Sequence, residues 1–275
     1  MRSPLLAPFS NIFCAIILAF ALLFAIFPSH ALASSALPGM ASASGAPTFQ
    51  VDAGFQTRYR DGNWVPVRVT LSNNGADFSG SVSVSAIAPA YLGQSNTLSS
   101  SSYAAAISLA QGSQKRVTLS LPLYYDVQSI VVRLLDSGGN VVRSQTVALN
   151  PLQPGDVLVG VLSDSTVGFG SLNAVALPNQ GGTVALQFLD AGSLPSTPAL
   201  LANFDALVLD NFTTGTLNAA QLSALQSWVQ RGGTLILVGG PEWRRTLAPL
   251  PANLLPLTIQ GTTTLPAKTT LLPTG

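Results

Sequence analysis

Four short runs constrain this chain more than anything else in it: "VLVGVL" within residues 156–164, "VALQFL" within 183–190, "ALVL" within 204–210 and "TLILV" within 233–240. Each is almost uninterruptedly apolar. Only a strand covered on both faces tolerates such a run, because a solvated face would carry polar side chains at every second position. Between the third and fourth runs lies "NAAQLSALQSWVQR" (218–231). Asn218 suits an N-cap, and Gln221 three residues on completes a capping-box pattern. Leu222, Leu225 and Val229 are the expected inward stripe, and Gly232 suits the left-handed residue that closes a helix. A weaker helix is expected over 166–177, interrupted by Gly168 and Gly170. Strands alternating with helices in this way build a three-layer, doubly wound parallel sheet.

Upstream of Pro151–Pro154 the rhythm differs. "NWVPVRVTLSNN" places Trp64, Val67, Val69 and Leu71 nearly in period two before a turn at Asn73-Asn74-Gly75. Val82, Val84 and Ala86 alternate with serines, and Val117, Leu119 and Leu121 alternate with polar residues. "SIVVRLLD" and "NVVRSQTVAL" flank a hairpin turn at Ser137-Gly138-Gly139. Half-buried antiparallel strands repeat like this, so residues 47–150 are expected to form a β-sandwich of immunoglobulin-like type. Ser95–Tyr103 is expected to be a long loop, and Trp64 and Trp228 are expected in cores.

Residues 1–33 carry Arg2, then the apolar "NIFCAIILAFALLFAIF" (11–27), then Ala31-Leu32-Ala33 before Ser34. That is the arrangement of an export signal with an A-x-A cleavage site; the alternative is an uncleaved anchor, at the short edge of a membrane span. Either places the remainder outside the cytoplasm. Cleavage also removes Cys14 and His30, the chain's single Cys and single His. Of 12 Lys and Arg, Arg2 leaves with the signal, so 11 basic residues balance 11 acidic ones. Residues 34–46 are expected to form a flexible leader. Such a chain has no basic stripe for nucleic acid and no disulfide. It also lacks the residues for zinc or Ser-His-Asp chemistry, and no glycine pattern suits a phosphate loop. No cofactor is expected. From Pro249 to Gly275 five prolines replace the strand–helix rhythm. Residues 251–275 are therefore expected to be an irregular tail, in a domain (155–250) that is either incomplete or small with its last strand an open edge.

The α/β part, "FDALVLDN…LNAAQLSALQSWVQRGGTLILVGGPEW", resembles the class I glutamine amidotransferase-like, flavodoxin-like fold. It is most similar to the degenerate form in uncharacterised bacterial proteins that carry a signal peptide, a β-sandwich and a membrane anchor. The resemblance covers about residues 155–250. It implies partners among envelope proteins or a further C-terminal part, and a membrane link through either end. Active members use a cysteine on a sharp strand-to-helix turn, activated by histidine. The matching turn here is Gly239-Gly240-Pro241, so the resemblance implies the fold without the chemistry: a non-catalytic interaction or scaffolding module.

One constellation supports a ligand. Asp164, Asp190, Asp210 and Glu242 each follow an apolar run, and parallel strands bring such ends to one edge, where open sheets bind ligands. Converging carboxylates hold Ca²⁺ or Mg²⁺; the alternative is that each acid caps a turn. Arg244-Arg245 is expected to neutralise Glu242, and Trp243 either lines a pocket or covers the sheet edge. Tyr124-Tyr125 and Tyr91 offer rings to a sugar, and Asn211-Phe212-Thr213 has the form of a glycosylation sequon. A catalytic Ser-Lys pair has only Lys115 and Lys268 to draw on, and neither lies near a strand-end serine.

Overall fold

The period-two alternation before residue 150 becomes antiparallel pairing, and the continuous apolar runs become parallel pairing. The computed structural model describes residues 45–88, 97–175, 177, 181–240, 242–258, 260–261 and 263–264. The signal-type segment with Ala31, Ala33 and Ser34 lies outside the described residues, as do the leader up to residue 44, Tyr91, Pro241 and residues 265–275 with Lys268. No helix among the described residues is long and apolar enough to cross a membrane. The described chain is mostly strand, in antiparallel sheets and one larger parallel sheet, with few helices.

In the N-terminal β region, β1 (Thr48–Ala53), β3 (Trp64–Ser72) and β6 (Gln114–Pro122) form one antiparallel sheet in the order β1-β3-β6. A second has the order β5-β4-β7-β8, from β4 (Phe78–Ala88), β5 (Thr97–Leu109), β7 (Ser129–Asp136) and β8 (Val141–Ala148). Val65, Val67, Val69 and Leu71 of β3 meet Val82 and Val84 of β4 and Ile130, Val132 and Leu134 of β7 in one buried core. Removing each such side chain from water contributes about 1.5–3 kcal/mol. The β7–β8 hairpin closes as expected: the Asp136 carboxylate accepts the Gly138 and Asn140 amides at 2.9 and 2.8 Å, and Gly139 has φ 83°.

Two expectations fail here. Trp64 is 41% exposed; the buried stripe starts at Val65, so Trp64 falls out of phase and lies edge-to-face on Tyr103, centroids 6.2 Å apart. Ser95–Tyr103 is not a loop beyond residue 96, since β5 runs from Thr97 and pairs along β4. A run of serines leaves no apolar alternation in the sequence to reveal a strand, and the partner strand supplies the order; Ser83 and Ser102 share a hydroxyl hydrogen bond of 2.8 Å.

The short strands β2 (Arg58–Tyr59) and β9 (Asn150–Pro151) pair in parallel where the chain leaves the β region. Tyr59 is fully buried and its hydroxyl donates to the Val127 carbonyl at 2.8 Å. Burial pushes its pKa above the ordinary tyrosine value, and the charges of Asp61 and Asp126 push it the same way. The folded state therefore holds this proton more tightly than the unfolded chain, so the stabilisation is complete below pH about 10 and is lost as pH rises beyond it. Urea titrations from pH 8 to 12 are expected to show stability falling above pH 10, less steeply in Tyr59→Phe; equal slopes in both proteins would exclude Tyr59 as the cause.

In the C-terminal α/β region β10 (Val157–Leu162), β11 (Val184–Leu189), β12 (Ala206–Leu209) and β13 (Thr234–Leu237) form a parallel sheet in the order β11-β10-β12-β13. One face packs on α1 (Pro198–Leu201), α2 (Ala219–Gln230) and Phe55 from the β region. The other face carries Val159, Val161, Leu186 and Val208, with Phe169 and Leu172 of a 3-10 turn (Phe169–Ala174) against them. Among the described residues that turn is what forms of the weak helix expected over 166–177, since Gly168 has φ 95° and starts no α-helix. Helix α2 has its capping box: Asn218 Oδ1 accepts the Gln221 amide and Gln221 Oε1 accepts the Asn218 amide, both at 2.9 Å. Its buried face is Gln221, Ala224, Leu225 and Trp228. Leu222 and Val229 are only partly buried, because the Gln221 amide turns inward to donate to the Ala191 and Leu194 carbonyls at 2.6 and 2.9 Å.

Candidate functional site at the parallel sheet's strand ends

The chain leaves β10 to form β11 on one side, then returns to form β12 and β13 on the other. Ligand crevices in open α/β sheets lie at this reversal, outside the carboxyl ends of the two central strands. Here those ends are followed by Ser163-Asp164 and Asp210-Asn211.

Arg245 spans the crevice. It sits on α3 (Trp243–Leu247) and ion-pairs with Asp164 beyond β10. Its Nε donates to Thr213 Oγ1 at 2.5 Å and its Nη1 to Asn211 Oδ1 at 3.3 Å, both beyond β12. Thr246 holds α3 in place. Its buried hydroxyl accepts the Phe212 amide at 3.1 Å, and its carbonyl accepts from Thr214 Oγ1 at 2.8 Å. Asn211 adopts a left-handed φ of 44°, a conformation asparagine tolerates better than most residues. The two arginines therefore differ from the sequence expectation: Arg245 pairs with Asp164 rather than Glu242, and Arg244 lies over the Trp243 ring, 4.7 Å from its centroid. Phe212, central to the sequon-like triplet, is buried.

The four acids follow their strands to one edge of the sheet but do not gather. Asp190 and Glu242 follow the two outer strands, three strand spacings apart, or about 14 Å; ligands of one cation lie about 2.5 Å from it. Among the described residues no three of His, Cys, Asp and Glu group to hold a metal ion. Asp190 closes a turn, accepting the Ser193 amide at 2.7 Å, and its hydrogen bonds with Ser193 hold its pKa below the usual carboxylate range. It lines a polar cavity with Asp52, Arg68 and Arg116 of the β region, away from Trp243. Asp210 donates its amide to the Leu162 carbonyl at 3.0 Å, and Glu242 is exposed at the start of α3.

Trp243 lines a cavity of about 270 Å³ with Leu237, Gly239, Gly240, Leu247 and Leu255. Its indole Nε1 is buried and has no acceptor among the described residues. Neither Gly239 nor Gly240 takes a left-handed backbone conformation. The sequence singles out Arg245 but not its partners, which are set by strand order and which its neighbours in sequence do not reveal.

Residues 46–150 match the model of a family described as a domain of unknown function, DUF8726. No curated protein matches the chain. Among solved structures it is similar to the sporulation control protein Spo0M from Bacillus subtilis, at 13% identity and a TM-score of 0.30, over 39% of this chain and 49% of that one. It is also similar to a GH3 β-glucosidase of Bifidobacterium adolescentis, at 16% identity and TM-score 0.26, over 38% of this chain and 17% of the enzyme. A third is the Pseudomonas fluorescens alkylpurine DNA glycosylase AlkC, at 14% identity and TM-score 0.29, over 38% of this chain and 31% of that one. The chain thus spans less than half the length of each, and likenesses at these scores say nothing of activity.

Proposed function

We propose that this chain is a non-catalytic module of a bacterial cell-envelope protein, exported behind a signal cut between Ala33 and Ser34 and serving interaction or scaffolding. In this reading the N-terminal region is an immunoglobulin-like sandwich and the C-terminal region a degenerate amidotransferase-like, flavodoxin-like domain. The strand order β11-β10-β12-β13 supports the second assignment, since the flavodoxin-like order begins 2-1-3-4. Its partners are other envelope proteins rather than nucleic acid.

The observation that carries the reading is Arg245. An open α/β sheet performs chemistry in the crevice between its central strands, and here a guanidinium bonded to Asp164, Asn211 and Thr213 occupies it. The strand end that would present a nucleophile offers two glycines. The purified exported form is expected to release no ammonia from glutamine and to hydrolyse no nitrophenyl ester or glycoside with saturable kinetics. Saturable turnover that disappears in Asp164→Asn or Asp210→Asn overturns the proposal.

A ligand-sensing role is the second reading, supported by the Trp243 indole N–H, which has no partner among the described residues and lies in an apolar cavity. A ligand that raises the melting temperature of the natural protein but not of Trp243→Phe would favour it.

A further inference from the structure

Between β6 and β7 the chain exposes two adjacent rings, Tyr124 at 52% and Tyr125 at 72%. Their centroids are 6.4 Å apart and their planes 54° apart, so neither ring covers the other. Single exposed aromatics are ordinary; the backbone beneath this pair is not. Tyr125 and Asp126 are both left-handed, with φ 65° and 51°, and consecutive bulky residues enter that region only when their surroundings impose it. The surroundings do so here. The Asp126 amide donates to Asp61 Oδ1 at 3.1 Å, Gly62 donates to the Leu123 carbonyl at 2.7 Å, and Leu123 donates to the Asn63 carbonyl at 3.2 Å. The loop is thus held in a form that turns both rings to solvent beside two exposed carboxylates. Among the described residues neither Asp61 nor Asp126 has an ion-pair partner.

We propose that Tyr124, Tyr125, Asp61 and Asp126 form a docking surface for an arginine side chain of a partner polypeptide. A guanidinium is planar, stacks on an aromatic face and donates two parallel hydrogen bonds to a carboxylate, so it uses both features together. A neutral sugar would use the rings alone. The chain already contains the stacking half of this contact, with Arg244 over Trp243. The surface is independent of the sheet's crevice, and turnover there would leave this proposal standing.

The test is an NMR titration of the exported protein with Ac-Gly-Arg-Gly-NH₂ and with its neutral isostere Ac-Gly-citrulline-Gly-NH₂. Saturable shifts of the Tyr124 and Tyr125 ring signals are expected for the arginine peptide alone, weakening as salt is raised. The double variant Asp61→Asn/Asp126→Asn, which keeps an oxygen for the Asp126 amide, is expected to lose affinity about tenfold, and Tyr125→Ala about fivefold. The Trp228 indole signal reports that each variant remains folded. Equal binding of both peptides, no binding of either, or ring shifts with maltotriose but not arginine overturns the proposal.

Discussion

Trp228→Ala is expected to lower the free energy of unfolding by about 3–5 kcal/mol, the usual cost of emptying a core site of this size. The indole is buried on α2 in the larger hydrophobic cluster of the α/β region. Its seat is made by glycine: a Cβ on Gly233 would come within 2.3 Å of the ring. The two glycines after α2 thus do different work. Gly232 takes the left-handed φ of 97° that ends the helix, and Gly233 leaves room for Trp228. A domain is typically stable by about 5–15 kcal/mol, so the loss is a large share of the total. Urea denaturation should show a lower midpoint at unchanged slope, a smaller shift for Trp228→Phe, and destabilisation by Gly233→Ala, which must displace the ring. A Trp228→Ala midpoint within error of the natural protein would mean that α2 does not dock on this face.

The second large effect is expected at Asn203, which is fully buried. Its Nδ2 donates to the Trp64 carbonyl at 2.8 Å and to the Leu200 carbonyl at 3.0 Å, and its Oδ1 accepts the Arg60 amide at 3.0 Å. Two of those bonds reach into the β region, so one side chain ties the two regions together. Nearby, Arg60 pairs with Asp205 at 2.6 Å, and Phe55 meets Phe204 with centroids 4.5 Å apart. The Arg60–Asp205 pair is partly exposed and is expected to add little. Asn203→Ala takes their side-chain partner from the Trp64 carbonyl and the Arg60 amide, while the Leu200 carbonyl keeps the Asn203 amide; at about 1–3 kcal/mol for each group that stays dry, a loss of about 2–4 kcal/mol is expected. The regions should also uncouple. Calorimetry is expected to show one transition in the natural protein and a broadened or split transition in Asn203→Ala. A single sharp transition at an unchanged temperature would refute the coupling.

Much of the architecture was legible in the chain because alternation records which face of an element is buried. All four apolar runs are parallel strands, and the hairpin at Ser137–Gly139 lies where its turn residues put it. The capping box of Asn218 and Gln221 is local chemistry, readable three residues apart. Where alternation was weak the reading failed. Serines concealed the start of β5, and a one-residue phase error put Trp64 in the core. The acids follow the apolar runs in sequence, yet whether they meet depends on strand order, which places Asp190 and Glu242 at opposite sides of the sheet.

What the sequence determined by itself was therefore local: where strands and the main helix run, which faces they bury, and that Cys14 and His30 precede the A-x-A site. Tertiary structure decided what fills the crevice between β10 and β12. Arg245 finds Asp164, Asn211 and Thr213 only because the sheet sets β10 beside β12 and Thr246 fastens α3 to the loop beyond them. Side-chain periodicity carries information over a few residues, whereas a charge is matched by whatever the fold brings within a few ångströms, and Coulomb attraction takes no account of separation along the chain.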